Sequence, residues 1–336
     1  MTDKKLKTKK TTKTNTKTNE CVKNNNVSSF GMDRDFDFNK IESSFNIELL
    51  SNNADNIEFI VDGIDAPFAN ALRRTIIDEV QTMAIHKAAI YQNTSVINDE
   101  ILSHRFGLLP IQADPDMFEE WIEGNELNEK NCLKFLLNVK CLRKPEHKDT
   151  PDLPIKNLIN HHVLAENICW IPLGNQAQRF ARNPPKVLYP KSLIAKLAEN
   201  QEIEVELYCV KGIGMEHTKW SPVCSAYYRL LPSVKLSSKI SKDDILKIKN
   251  ICPSHVFDIE DIKNEKRLIV KNESACTNCR ACQFLPVEDE MVRISKQNKK
   301  YHFTVESVGQ MKAQEIVLRA VTVLKNKGGL YMKDIM

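Results

Sequence analysis

Two strand-and-helix segments at opposite ends of the 336-residue chain constrain its fold most strongly. Near one end, NIEFIVDGI alternates apolar and polar residues and is followed by DAPFANALRRTIIDEVQTMAI. Near the other end, YHFTVESVG alternates in the same way and precedes QMKAQEIVLRAVTVLKNKGG. Period-two alternation is typical of a strand with one buried face, and apolar spacings of three and four are typical of an amphipathic helix. Each end of the chain is therefore predicted to form a strand that leads into a helix.

Both predicted helices carry long apolar stripes. The members of the first stripe are Leu72, Ile76, Val80 and Met83, and those of the second are Ala313, Val317, Ala320 and Leu324. The pair Gly328 and Gly329 predicts the end of the second helix. If the helices pack side by side on one sheet, a matching helix pair from another subunit would complete a four-helix layer. The stripes would equally serve to cover only their own sheet, and periodicity leaves both interpretations open.

The middle of the chain has a different character. Prolines, the loop-like run RKPEHKDTPDLP and strand-like stretches such as EIEVELYCV occupy residues 113–291. The predicted fold class is therefore α+β, with one discontinuous domain built from residues 29–112 and 292–336. A second domain, residues 113–291, is predicted to be inserted into it, with a cysteine segment at 252–291.

The charge of the chain is concentrated in its first 28 residues. Eight lysines and two acidic residues give this tail a charge of +6, so the remaining chain carries −2 of the net +4. Few large apolar residues occur in the tail, which is predicted to be disordered. Its KKLKTKK run suits a nuclear-import signal, a loose phosphate contact or a solubilising tail. Because the rest is slightly acidic, direct DNA binding is not expected, and the absence of a long apolar run excludes a membrane helix.

Four cysteines have the spacing of metal ligands. ACTNCRACQF places Cys276, Cys279 and Cys282 three residues apart, and Cys252 provides a fourth thiol upstream. No signal-peptide core is found, so a reducing compartment is expected, where thiols serve as ligands or stay free instead of pairing. Four thiolates match a 4Fe–4S cluster, or a 3Fe–4S cluster with three of them. Zinc also accepts four thiolates. The repeated spacing favours the iron–sulfur cluster, with zinc and free thiols as alternatives.

Three stretches carry a family resemblance. The run from VDGIDAPFANALRRT to SHRFGLLPIQAD resembles the α-motif of the α-like RNA polymerase subunits, which include the bacterial α N-terminal domain, the archaeal α-like subunit and the third-largest eukaryotic subunits. GIGMEHTKWSPVCSAYYRLLP is similar to the second family signature, and YHFTVESVGQMKAQEIVLRAVTVLKNK to the closing strand and helix. NTSVINDEILSHRFGLLPIQADP most resembles the α-like subunit shared by eukaryotic RNA polymerases I and III.

This resemblance implies a non-catalytic nuclear assembly subunit. Such a subunit pairs with a smaller α-like subunit to form the platform for the two largest catalytic subunits, and meets DNA only through the complex. The implied dimer-interface residues are Phe68, Leu72, Ile76, Val80, Val317, Ala320 and Leu324. Arg73 and Arg74 are the implied large-subunit contacts, since a guanidinium can bond two acceptors at once.

The resemblance also bears on the cysteines and on the remaining alternatives. Cys252, Cys276, Cys279 and Cys282 resemble the ferredoxin-like module of the archaeal α-like subunit, although the fourth cysteine lies upstream of the run. Two other identities stay open: an archaeal-type α-like subunit of a single polymerase, and a ferredoxin-like electron carrier. His217, Lys219 and Ser221 in HTKWSP match no hydrolase or transferase spacing, so no catalytic residue is predicted.

Overall fold

The computed structural model describes residues 38–143, 158–237, 240–262, 265–284 and 291–335. The tail at residues 1–28 lies outside these ranges. The described residues form two four-stranded antiparallel sheets, four two-stranded pairs and six α-helices, a mixed α and β structure as predicted. Within these ranges, no helix has the length and apolar character needed to cross a membrane.

The first sheet combines strands from both ends of the chain with one from its middle. Its order is β1 (Asn46–Asn52), β2 (Asn56–Asp62), β16 (Val292–Ser307) and β13 (Val223–Leu236). The register pairs Phe59 of β2 with Phe303 of β16, and their rings stack with centroids 5.2 Å apart. The alternation read from the sequence therefore produces one apolar face on the two central strands.

Two helices cover that apolar face. Helix α2 (Ala66–Asp78) and helix α6 (Ala313–Ile335) pack against each other and against the sheet. Their inward side chains join those of the strands in one core, which includes Ala69, Ile76, Ile316 and Ala320. A short helix, α1 (Phe38–Ser44), precedes β1. The two predicted strand-and-helix segments thus meet on one sheet, although they lie far apart in the sequence.

The second sheet contains the largest core found among the described residues. Its order is β3 (Thr82–Asn93), β12 (Glu202–Gly212), β5 (Cys132–Lys140) and β9 (Cys169–Ile171). Helix α3 (Asp99–Gly107) packs on β3. The short elements around this sheet are β4 (Ile111–Gln112) paired with β10 (Lys186–Val187), β6 (Leu142–Arg143) with β7 (Leu158–Ile159), β8 (His162–Leu164) with β11 (Leu193–Lys196), and α4 (Gln176–Arg179).

A third, smaller region holds the four candidate ligand cysteines. It consists of α5 (Lys242–Ile251), the hairpin of β14 (Phe257–Ile262) and β15 (Glu265–Val270), and two 3-10 turns at Glu273–Ala275 and Ala281–Gln283. Its core also uses Val234 of β13 and Val292 of β16. The same two long strands therefore carry the helix-covered core at one end and this small core at the other.

Both long helices end at positions that differ from the prediction. Helix α2 stops at Asp78, so Val80 lies beyond it, and the chain enters β3 at Thr82. The backbone N–H of Met215 donates to the Asp78 carbonyl at 2.8 Å, which satisfies one of the free carbonyls at the helix end. Gly214 permits this approach, since a Cβ there would lie 2.3 Å from the Ile77 carbonyl oxygen.

The C-terminal helix is longer than expected. Helix α6 continues through Gly328 and Gly329 to Ile335. Glycine weakens a helix interior by about 1 kcal/mol relative to alanine but does not force it to stop, because it also adopts helical dihedrals. The predicted ending at the glycine pair is therefore wrong.

Strand pairing crosses the predicted domain boundaries at two points. Strand β3 belongs to the second sheet, although residues 29–112 were assigned to the discontinuous domain. Strand β13 belongs to the first sheet, although residues 113–291 were assigned to the insertion. These pairings join residues more than 50 positions apart in the sequence, so the local patterns that define each strand do not specify its partner.

Candidate functional site

Three of the predicted dimer-interface side chains lie inside the core of their own sheet. Ile76 and Ala320 have no exposed surface, and Val80 is only 1% exposed. Leu72 and Val317 pack partly against the same core. The stripes read from the sequence therefore cover their own sheet to a large extent, which was one of the two open interpretations.

The outward surface of the helix pair nevertheless carries exposed apolar side chains. Phe68 on α2 is 53% exposed, and Leu318 and Val321 on α6 are 60% and 49% exposed. Further along α6, Leu330, Tyr331 and Met332 are exposed as well. We call these six residues the outer helix face. Large apolar side chains exposed in this way on a helix pair suit a site of protein association.

Sequence reasoning missed most of the outer helix face. The run IVLRAVTVL has apolar residues at seven of its nine positions, more than one stripe requires. A helix that is apolar nearly all round is buried on more than one side. That signal was present in the sequence, but only the stripe facing the sheet was selected.

The two arginines on α2 differ in their contacts: one bonds within its own helix, and the other is exposed. Arg73 is half-buried, and its Nε and Nη2 atoms donate to Asn70 Oδ1 at 3.3 and 3.1 Å. The Arg74 side chain is exposed and forms no ion pair with the described residues. Only Arg74 is therefore free to bind a group from another chain with its full set of N–H donors.

The four candidate ligand cysteines line one recess. Cys252 follows directly after α5, Cys276 follows the turn Glu273–Ala275, and Cys282 lies within the turn Ala281–Gln283. Together with Cys279 they border a partly open recess, beside Val256, Phe257 and Ile294. The structure thus places the upstream cysteine at the same recess as the CxxCxxC run.

Left-handed backbone positions shape the loop that carries these thiols. Asn278 and Arg280, which flank Cys279, both have φ of 59°. Asparagine tolerates this conformation better than most residues, whereas arginine does so at some strain. The two reversals keep the chain tightly curved, so that three successive cysteines of the run border the same recess.

The recess is a partly apolar environment. Cys252 and Cys282 are buried, Cys276 is half-buried and Cys279 is exposed. Burial raises the pKa of Cys282 to about 11, and the neighbouring Cys252, Cys276 and Cys279 act in the same direction. Without a cation, Cys282 is thus a neutral thiol near pH 7. Within the described ranges, no three His, Cys, Asp or Glu side chains are placed so that they could hold a metal ion.

The residues of HTKWSP do not form a catalytic set. Ser221 Oγ donates to the carbonyl of Val223 at 3.4 Å, and His217 Nδ1 accepts the backbone N–H of Lys219 at 3.0 Å. No hydrogen bond joins this serine to a base among the described residues. A nucleophile needs such a base within reach, so this stretch shows no nucleophile-and-base arrangement.

Comparison with known proteins agrees with this fold. Residues 58–327 match the RNA polymerase Rpb3/Rpb11 dimerisation domain family, and the chain belongs to that family. The match begins in β2 and ends in α6, so it spans both segments of the helix-covered sheet. The predicted resemblance to the α-like polymerase subunits is therefore confirmed, together with the dimerisation-domain part of the predicted fold.

Individual relatives place the chain more narrowly. It is 36% identical to "DNA-directed RNA polymerases I and III subunit rpac1" of Dictyostelium discoideum, over 91% of this chain and 86% of the relative. It is likewise 36% identical to subunit RPAC1 of the same two polymerases in Homo sapiens, over 91% of this chain and 88% of the relative. Identity to "DNA-directed RNA polymerase subunit Rpo3" of Methanosphaera stadtmanae is 29%, over 84% and 95%.

Proposed function

We propose that this chain is the non-catalytic α-like subunit shared by nuclear RNA polymerases I and III. The observation that carries the proposal is the 36% identity, over nine-tenths of the chain, to subunits named for these two polymerases. Identity to the archaeal subunit Rpo3 is lower, at 29%. This difference favours the subunit of polymerases I and III over an archaeal-type subunit of a single polymerase. As a member of such a complex, the chain acts in the nucleus and contributes structure, while catalysis belongs to the large subunits.

The outer helix face is the surface on which a smaller α-like subunit would pair. Its side chains are apolar, and they lie on the two helices of the dimerisation domain. Burial of this face against a second helix pair would remove apolar area from water, which is the main driving force for subunit association. The dimer would then present Arg74 beside the interface as a contact for a large subunit.

Affinity purification tests this assignment. The tagged full-length chain is expressed from its own locus and purified gently from nuclear extract, and its partners are identified by mass spectrometry. We expect a smaller α-like subunit together with the largest subunits of both polymerases I and III. Recovery of polymerase II subunits instead, or of reductases and flavoproteins without any polymerase, would overturn the assignment.

We propose that the four cysteines bind an iron–sulfur cluster. All four thiols border one recess, and four is the number of ligands that a 4Fe–4S cluster needs, while three would suffice for 3Fe–4S. Binding would have to draw these thiols closer together, because no three of them are placed to hold a metal ion. A bound cluster would supply ligand bonds that tie the end of α5 to the loop at residues 276–282. The alternative is zinc, which needs the same four thiolates in a smaller tetrahedral arrangement.

Metal analysis of anaerobically purified protein separates these alternatives. We expect iron with a matching amount of acid-labile sulfide. Zinc without sulfide would show that the cysteines form a zinc site and not an iron–sulfur cluster. The variant Cys279→Ser should lose most of the metal, whereas the matched control Cys169→Ser, also exposed and outside the recess, should keep it. Equal metal content in both variants, or no metal in the wild-type protein, would refute a metal site.

A further inference from the structure

A second recess lies between β3, α3 and the turn at Thr218–Trp220. Its cavity volume is about 90 Å³, and it is partly open to solvent. Its polar lining consists of His86, Lys87, Ser103, His104, His217 and Lys219. No described Asp or Glu lines it. Five of the six polar residues carry or can acquire a positive charge.

Aromatic rings hold the two lysines in place. The Nζ atom of Lys87 lies 4.2 Å from the centre of the Trp121 ring, and that of Lys219 lies 4.3 Å from the centre of the Trp220 ring. Cation–π contacts of this kind favour a fixed position for an ammonium group. Neither lysine forms an ion pair with any described residue. The recess therefore contains two positioned cations that no carboxylate neutralises.

Two imidazole rings add hydrogen-bond donors. Lys219 Nζ lies 3.0 Å from His86 Nδ1, and because the ammonium can only donate, this nitrogen accepts. The backbone N–H of Lys219 donates to His217 Nδ1, also at 3.0 Å. In both rings the proton is then on Nε2. Each ring consequently retains one N–H group that can donate to a ligand.

Positively charged and titratable groups lie close together in this recess. Burial lowers the pKa of His86, and the nearby Lys219 and Lys87 lower it further. Burial also lowers the pKa of Lys219. Glu123 and His217 also influence the pKa of His86, and Cys209 and Glu216 that of Lys219. Neither of the two glutamates forms an ion pair with His86 or Lys219. A bound anion would relieve this repulsion, since an opposite charge within a few ångströms favours the charged form of Lys219.

We propose that this recess binds an oxyanion, namely a phosphate or a carboxylate group. The ammonium groups of Lys87 and Lys219 and the ring N–H groups of His86 and His217 provide the donors. Charge-assisted hydrogen bonds to such a group are stronger than neutral ones. The basic residues are clustered around one recess and do not form an extended row along the surface. The site therefore suits one anionic group and not a nucleic-acid backbone. Free phosphate and an acidic side chain of a neighbouring protein are the two sources.

Histidine-ring NMR of the full-length chain tests the proposal. Sodium phosphate is titrated at constant pH, and the peptide acetyl-Glu-Asp-Glu-amide is titrated separately, each against sodium chloride at equal ionic strength. We expect saturable shifts of the His86 and His217 ring signals. Tighter binding of phosphate would identify a free ion as the ligand, and tighter binding of the peptide would identify an acidic side chain.

Charge-removing variants show whether the lysines bind the anion. Lys219→Met keeps an apolar stem against Trp220, and Lys87→Gln is a second variant should the first fold poorly. Either change should lower the affinity for the anion about tenfold or more, because a charged hydrogen-bond partner is lost. The control Lys191→Met, at an exposed position outside the recess, should bind as the wild type does. Affinity unchanged in both recess variants, or no saturation beyond chloride with either probe, would overturn the proposal.

Discussion

Truncation of Leu318 and of Ile76 should separate subunit pairing from folding. Both residues belong to the helix pair, but Leu318 is 60% exposed and Ile76 has no exposed surface. Complete burial of a leucine is worth roughly 1.5–3 kcal/mol. If the partner covers the exposed 60%, Leu318→Ala should weaken pairing by roughly 1–2 kcal/mol, or about 5- to 30-fold in Kd.

The two variants should differ in the stability of the free chain as well. Leu318→Ala exchanges one good helix former for another at the surface, so the free energy of unfolding should change by about 0.5 kcal/mol or less. Ile76→Ala removes three buried carbon atoms from a packed core and should destabilise the chain by about 2–5 kcal/mol. Ile76→Ala should therefore destabilise the free chain more than Leu318→Ala does. Leu318→Ala, in contrast, should remove more direct contact with the partner.

Two measurements are needed for this comparison. Urea unfolding of the purified chain gives stability, and titration calorimetry with the smaller α-like subunit gives Kd under conditions where both variants are folded. A loss above about 2 kcal/mol in the free Leu318→Ala variant would show that this side chain is already packed internally. An unchanged Kd for a stable Leu318→Ala variant would show that the partner binds elsewhere.

Three further changes test local features. In urea unfolding, Gly214→Ala should destabilise the fold by roughly 1–3 kcal/mol, because the added Cβ would meet backbone atoms. Gly328→Ala should stabilise the fold by about 0.5–1 kcal/mol, since open space surrounds that helical glycine. Asp258 bonds Lys249 and Lys271, which hold the pKa of its carboxyl well below its usual range. This stabilisation is present above the ordinary Asp pKa and is lost as pH falls below it, so the urea midpoint of Asp258→Asn should change less than that of the wild type between pH 6 and 3.

Local periodicity predicted those parts of the fold that depend on neighbouring residues. The alternation around Phe59 and Phe303 specified two strands and their buried face, and the spacing in α2 specified a helix. The end of α2 was not predictable in this way, because the Gly214–Met215 segment that meets it is more than 130 residues away. Strand partners escaped prediction for the same reason.

The candidate sites show the same distinction. Three cysteines were evident from their spacing, but only the fold shows that Cys252, at the end of α5, borders the same recess. The oxyanion recess joins three segments that are separate in the sequence. Lys219 was considered in the sequence only as part of a catalytic motif, and no local pattern linked it to His86.

The cysteine region has the smallest core among the three regions that carry the fold. Among the described residues, its core contains seven buried residues, two of them candidate ligand cysteines, whereas the helix-covered sheet has fifteen and the second sheet twenty-three. A core this small contributes little stability by itself, so metal–ligand bonds would add the largest relative gain here. Strands β13 and β16 continue from this core into the sheet that carries α2 and α6. A metal at the cysteines would therefore stabilise one end of the strands whose other end supports the pairing helices, and a structural role follows without any electron transfer.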